Sequence, residues 1–191
     1  DEDFTLTYLG SPYIVDGSIK VLAGAKLTVE PGVIIKFKES NYGWHSLFTV
    51  EGGFEADGAV FTSFKDDEHG GDTNNDGQDT LPATGDWDGI YFKESIESRL
   101  ENAIMRYAGR IHESSTYSLP SYTNGAVKVE GGEVAIENST IESSQSEGLW
   151  IINSSPEINN VIFLNNNSVS GASMAVFVED ENSAPEITNS S

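Results

Sequence analysis

The feature that most constrains this chain is a repeat. Three stretches of its second half align: residues 127–141, 149–163 and 176–189. Each runs from a short alternating strand, through a polar turn, to an apolar residue and then an Asn. Ser155-Pro156-Glu157-Ile158 recurs as Ala184-Pro185-Glu186-Ile187. A less regular copy joins Ile90-Tyr91-Phe92 to Leu100-Glu101-Asn102-Ala103-Ile104, and two more open the chain with Gly32 and Gly58 in place of the later Asn. The column Asn102, Asn138, Asn160, Asn189 has spacings of 36, 22 and 29 residues. A basic period near 22, lengthened by insertions, is the rung of a parallel β-helix.

The residue types at the column fit that geometry. Each rung has to turn there, Asn tolerates the left-handed conformation, and its amide can bond the Asn one rung away. Gly meets the same need for positive φ in the early rungs. Elsewhere the apolar residues alternate over three to six positions, as in Leu27-Thr28-Val29, Val33-Ile34-Ile35-Lys36-Phe37, Val127-Lys128-Val129, Val134-Ala135-Ile136 and Val176-Phe177-Val178. Alternation bounded by Gly, Asn, Ser and Pro predicts many short strands, and helical spacing is scarce.

Composition removes several functions. The chain of 191 residues has no Cys, which excludes disulfide frameworks, thiol catalysis and Cys-zinc sites. Ten basic against 31 acidic residues leave a net charge of −21, which argues against nucleic-acid binding. No apolar run is long enough to span a membrane. A content of 37% hydrophobic and 10% aromatic residues can build a core, so disorder is not expected.

Three segments carry a family resemblance: 24–37 (Gly-Ala-Lys-Leu-Thr-Val-Glu-Pro-Gly-Val-Ile-Ile-Lys-Phe), 85–92 (Gly-Asp-Trp-Asp-Gly-Ile-Tyr-Phe) and 105–109 (Met-Arg-Tyr-Ala-Gly). They resemble the right-handed parallel β-helix repeat region of large secreted and surface-exposed bacterial proteins, the pectate-lyase-like superfold. The resemblance runs roughly from Tyr13 onward. It implies an all-β, right-handed parallel β-helix with an inserted acidic metal-binding loop. It also implies an extracellular or cell-surface location. It says little about activity, because such regions occur in adhesins and in polysaccharide-processing enzymes alike. The layout expected is an N-terminal strand and cap over 1–25, then β-helix over 26–191, with an acidic loop at 65–88 and a second insertion at 108–124. The repeat stops inside a rung at Ile187-Thr188-Asn189-Ser190-Ser191, so further domains of a longer parent chain are expected.

The acidic loop holds seven Asp, one Glu and one Lys over 65–88, a net of −7. Such density in a folded loop calls for a counter-cation. Asp72-x-Asn74-x-Asp76-Gly77 matches the first half of an EF-hand-like loop, with oxygen ligands at alternate positions and Gly at the sharp turn. The backbone carbonyl of Gln78 would follow. The twelfth position is Ala83 rather than a bidentate Glu, so the missing carboxylates are sought in Asp66, Asp67, Asp79 and Asp86. Hard oxygen donors favour Ca²⁺. A solvated loop without metal is the alternative. The resemblance implies that Gly-Gly-Asp-x-Asn-x-Asp-Gly is a structural metal loop.

For catalysis, a polysaccharide lyase on this fold would need a Lys or Arg base beside calcium, and a glycoside hydrolase two carboxylates flanking a sugar bond. Arg99, Arg106 and Arg110 cluster after the loop, and pairing with Glu97, Glu101 and Glu113 is their plainer role. The stronger expectation is a non-catalytic scaffold or adhesion surface, with carbohydrate or another surface protein as partner. Strict alternation points Tyr91, Lys128, Trp150 and Phe177 outward on one face, where the aromatics would stack. Alternatively the insertion 108–124 covers them. Tyr42 and Trp44, in Asn41-Tyr42-Gly43-Trp44-His45, form a second aromatic protrusion.

Overall fold

A computed structural model of the chain describes residues 2–39, 46–111, 125–167 and 175–191. Successive strands go to three different sheets, and every third strand returns to the same sheet one rung higher. The first coil is β1 (Phe4–Leu6), β2 (Tyr13–Val15) and β3 (Ile19–Val21); the second is β4 (Lys26–Val29), β5 (Ile34–Phe37) and β6 (Leu47–Val50). The third coil is β7 (Gly53–Asp57), β8 (Val60–Ser63) and β9 (Gly89–Lys93), with the acidic loop between β8 and β9. The fourth is β10 (Ser98–Glu101), β11 (Ile104–Arg106) and β12 (Val127–Glu130); the fifth is β13 (Val134–Glu137), β14 (Thr140–Glu142) and β15 (Leu149–Ile152). The sixth is β16 (Glu157–Asn159), β17 (Ile162–Leu164) and β18 (Val176–Val178), and β19 (Glu186–Thr188) follows. Sheet A is β1-β4-β7-β10-β13-β16-β19, sheet B β2-β5-β8-β11-β14-β17 and sheet C β3-β6-β9-β12-β15-β18. All pairs are parallel. The fold is a right-handed parallel β-helix. The stretch expected as an N-terminal strand and cap carries the three strands of the first coil.

Register makes columns of like residues. Leu6, Val29, Ala56, Leu100, Ile136, Ile158 and Ile187 stack along sheet A. Val21, Val50, Phe92, Val129, Ile151 and Val178 stack along sheet C. Because side chains alternate across a strand, one residue in two enters the shared core, and each fully buried Val, Leu, Ile or Phe is worth about 1.5–3 kcal/mol. The early coils are filled by rings. Phe48 packs edge-on to Phe54 at 5.4 Å, and Trp87 lies parallel to Phe37 at 4.0 Å. The later coils are filled by Ile, Leu and Val.

The corner between sheets A and B is the Gly/Asn column of the sequence. Gly32, Gly58, Asn102, Asn138, Asn160 and Asn189 all have φ between 48° and 80°. Their amide-to-amide bonding is less regular than expected. Asn160 donates to Asn138 Oδ1 at 2.9 Å. Asn102 turns instead to Asp57 at 2.7 Å, and Asn189 to Asn159 at 3.0 Å. The other two corners use the same left-handed bend with less obvious residues: Tyr107, Ser143 and Asn165 between sheets B and C, and Glu94, Gly131 and Asn153 between C and A.

Candidate metal centre

The acidic loop leaves β8, crosses the outer face of sheet B and returns into β9. The outward row of that face runs through Ile14, Lys36 and Thr62, which are in register, and the loop leaves Ile14 exposed. Arg106 and Glu142 continue the row on β11 and β14. Lys36 and Thr62 are fully buried beneath the loop. The Lys36 ammonium donates to the Gly71 carbonyl at 2.6 Å and to Thr73 Oγ1 at 3.0 Å. Thr62 Oγ1 donates to Asp66 Oδ2 at 2.6 Å. Gly70 sits where a Cβ would press on Pro12 at 3.1 Å, so its missing side chain lets the loop lie close. The returning limb is fixed by Asp86, which accepts from Ser63 Oγ at 2.6 Å, from Lys65 Nζ at 3.0 Å and from the Ala83 N–H at 3.0 Å. Next to it the buried Trp87 donates its indole N–H to the Arg106 carbonyl at 2.9 Å.

Two groups of acidic side chains result. In the first, ligand atoms of Asp66, Glu68 and His69 lie within 4.8 Å of one another. A protein cation already occupies this group. Arg106 Nη1 is 3.1 Å from His69 Nδ1, 3.3 Å from Glu68 Oε2 and 3.7 Å from Asp66 Oδ2, and its Nε is 2.9 Å from Glu142. In the second, carboxylate oxygens of Asp67, Asp72 and Asp76 lie within 4.8 Å of one another. Ligands held 2.3–2.6 Å from one Ca²⁺-sized ion are at most roughly 5 Å apart, so this spacing suits a shared cation.

The second group also has unfilled valence. Asp67 Oδ1, Asn74 Oδ1 and Asp76 Oδ1 are shielded from solvent and, among the described residues, accept no hydrogen bond. Leaving a shielded acceptor unpaired costs about 1–3 kcal/mol each, more when it is charged. The remaining oxygens shape the turn. Asp72 accepts from the N–H groups of Asp76 at 3.2 Å and Gly77 at 2.9 Å, and Asp76 Oδ2 accepts from Asn74 Nδ2 at 2.9 Å and from Thr80. Gly77 has φ 72°, the sharp turn the spacing demanded. These residues can hold a metal ion.

Of the eight metal ligands expected from the sequence, Asp67, Asp72 and Asp76 lie together, with Asn74 hydrogen-bonded to Asp76. Asp66 stands in the first group beside Glu68 and His69, and Asp86 accepts from Ser63, Lys65 and Ala83 on the returning limb. Gln78 and Asp79 are exposed at the turn, with the Asp79 N–H on the Asp76 carbonyl at 3.2 Å. On sheet C, Tyr91, Lys128, Trp150 and Phe177 stand in register. Tyr91 and Trp150 are only 3% and 9% exposed, and Phe177 is half-buried. Lys128 Nζ sits 4.7 Å from the Tyr91 ring centre and 5.9 Å from that of Trp150. Tyr91 Oη donates to Glu130 at 2.5 Å, and the Trp150 indole N–H donates to Glu179 at 2.9 Å. Burial works to raise the Glu130 carboxyl, but the hydrogen bonds from Tyr91 and Lys128 outweigh it and hold it low. Tyr42 and Trp44 lie outside the described residues.

The sequence did not single out Lys36. Burial pulls its ammonium below the usual lysine value, against the attraction of Asp66, Asp67 and Asp72. For Lys65 burial acts the same way, yet hydrogen bonds to Glu39 and Asp86 win and raise it. Arg106 pairs with Glu68 and Glu142 rather than with Glu97 or Glu101, and so lends its charge to the first acidic group. The only local signal for Lys36 was a lysine at an outward position of an apolar strand. Comparison of the sequence with models of known families, with curated proteins and with solved structures found no match, so the chemistry of the loop is argued from its geometry.

Proposed function

We propose that this chain is a calcium-fixed β-helix scaffold of an extracellular bacterial protein, with an outer surface that serves adhesion or carbohydrate binding. The calcium part is carried by the three shielded, unpartnered oxygens of Asp67, Asn74 and Asp76, set beside Asp72. Three carboxylates and an amide carbonyl are hard donors, which favours Ca²⁺ over a transition metal. Mg²⁺ demands near-ideal octahedral geometry and gives up its water reluctantly. With Ala83 where an EF-hand has its bidentate Glu, affinity belongs in the range of about 10⁻⁴–10⁻³ M typical of extracellular modules.

Binding to the folded loop alone links calcium to stability. At 10 mM Ca²⁺ and such affinities the gain is about 1.4–2.7 kcal/mol. For a chain of this size that raises Tm by about 3–10 °C. Thermal melts in EGTA and in excess Ca²⁺ test this, with Mg²⁺ as the control. The scaffold reading expects Ca²⁺ to restore what EGTA removes; identical melts in both would sink it.

The alternative is a polysaccharide lyase or glycoside hydrolase, and its lyase form needs a base free beside the metal. Arg99 pairs with Glu101 and Glu137, Arg106 with Glu68 and Glu142, and Arg110 with Glu39, which favours the scaffold. The carbohydrate part rests on Phe177, the half-buried end of the aromatic row of sheet C, since Tyr91 and Trp150 are covered. A glycan array with wild type and Phe177→Ala tests it; wild type that binds no glycan removes that part and leaves the scaffold.

A further inference from the structure

We infer that Lys36 sets the charge of the metal centre so that it matches a divalent cation. This rests on the metal reading of the Asp67, Asp72, Asn74 and Asp76 group. The three carboxylates carry −3. Lys36 is the buried cation beneath them, its ammonium bonded to Gly71 and Thr73, the residues on either side of Asp72. The nearby Asp66 carboxylate belongs to the first acidic group, where it shares Arg106 with Glu68 and Glu142, and is left out of this count. The sum is therefore −3 + 1 = −2. The residue contributes no ligand atom, because both of its bonds go to the loop's own oxygens. It acts through the field and by holding the turn in place.

The two effects separate by changing the charge of the ion. Loosening the turn weakens Ca²⁺ and a lanthanide together. Removing a fixed positive charge favours the trivalent ion more, by a factor on the order of ten for unit charges some 6–10 Å apart in a partly buried setting. Calorimetric titration with Ca²⁺ and with Tb³⁺ gives the ratio of affinities in wild type, Lys36→Met, Lys36→Gln and Lys36→Arg. Gln keeps a donor for the Gly71 carbonyl should Met unfold the loop, and Arg keeps the charge. Asp76→Ala, expected to lose binding of both ions, separates this centre from the general acidity of the surface. The expected result is a Tb³⁺-to-Ca²⁺ preference that rises about tenfold in whichever neutral variants fold and stays at the wild-type value in Lys36→Arg. A ratio that changes less than twofold while both affinities fall together overturns the charge role and leaves the metal centre standing. Wild type that binds neither ion overturns both.

Discussion

The bends of this solenoid are made one residue at a time. Asn138 holds φ 48° and accepts the amide of Asn160 from the next rung. Asn138→Ala forces a Cβ-bearing residue without that amide into the left-handed region, and should destabilise the chain by about 1–2 kcal/mol in urea melts, with Asn138→Gly costing less. Trp87 is fully buried against Phe37, so Trp87→Ala should cost about 3–5 kcal/mol. Glu39 offers a pH-dependent test. The hydrogen bond from Lys65, assisted by Arg110, holds its carboxyl below the ordinary 4.5. Its contribution is therefore complete above pH 4.5 and disappears as pH falls through the lower folded value. Glu39→Gln should flatten the loss of stability with acid below that point, as read by melts across pH 2–6.

At the scale of elements, what could be read beforehand was what repeats or lies close in sequence. The Gly32-to-Asn189 column and the alternating strands placed the rungs correctly. The corners at Glu94, Tyr107 and Ser143 could not be foreseen, because those residue types do not advertise a left-handed bend and are held there by the rungs on either side. The turn Asp72-Asn74-Asp76-Gly77 was legible because its ligands alternate. Asp67 joins it from before the double glycine, and Lys36 and Arg106 reach the loop from strands one rung away on either side of β8. Register across a 25-residue excursion (64–88) cannot be counted from sequence, so neither cation was foreseen in its role. Since the loop is held by Lys36, Arg106 and Trp87 as well as by its acidic centre, Asp76→Ala should abolish the Ca²⁺-dependent rise in Tm while leaving the β-sheet circular dichroism unchanged. Loss of the sheet signal would show that the loop is part of the folding unit rather than laid upon it.

For the molecule as a whole, the charge of −21 is unevenly borne. Several outward acids are paired rung to rung with Lys20, Lys26, Lys38 and Arg99, contacts that are exposed and individually weak. The cationic side chains beneath the loop do more, because they are buried and hold it to sheet B. One acidic group is filled by Arg106 and the other is left with unpartnered oxygens, and that difference is the centre of the account. The most direct test is a crystal structure of the protein grown in Ca²⁺ and located by anomalous scattering. The account predicts one ion within about 2.3–2.6 Å of Asp67 Oδ1, Asn74 Oδ1 and Asp76 Oδ1. An ion seated instead among Asp66, Glu68 and His69, or no ion anywhere in the loop at saturating Ca²⁺, would contradict it.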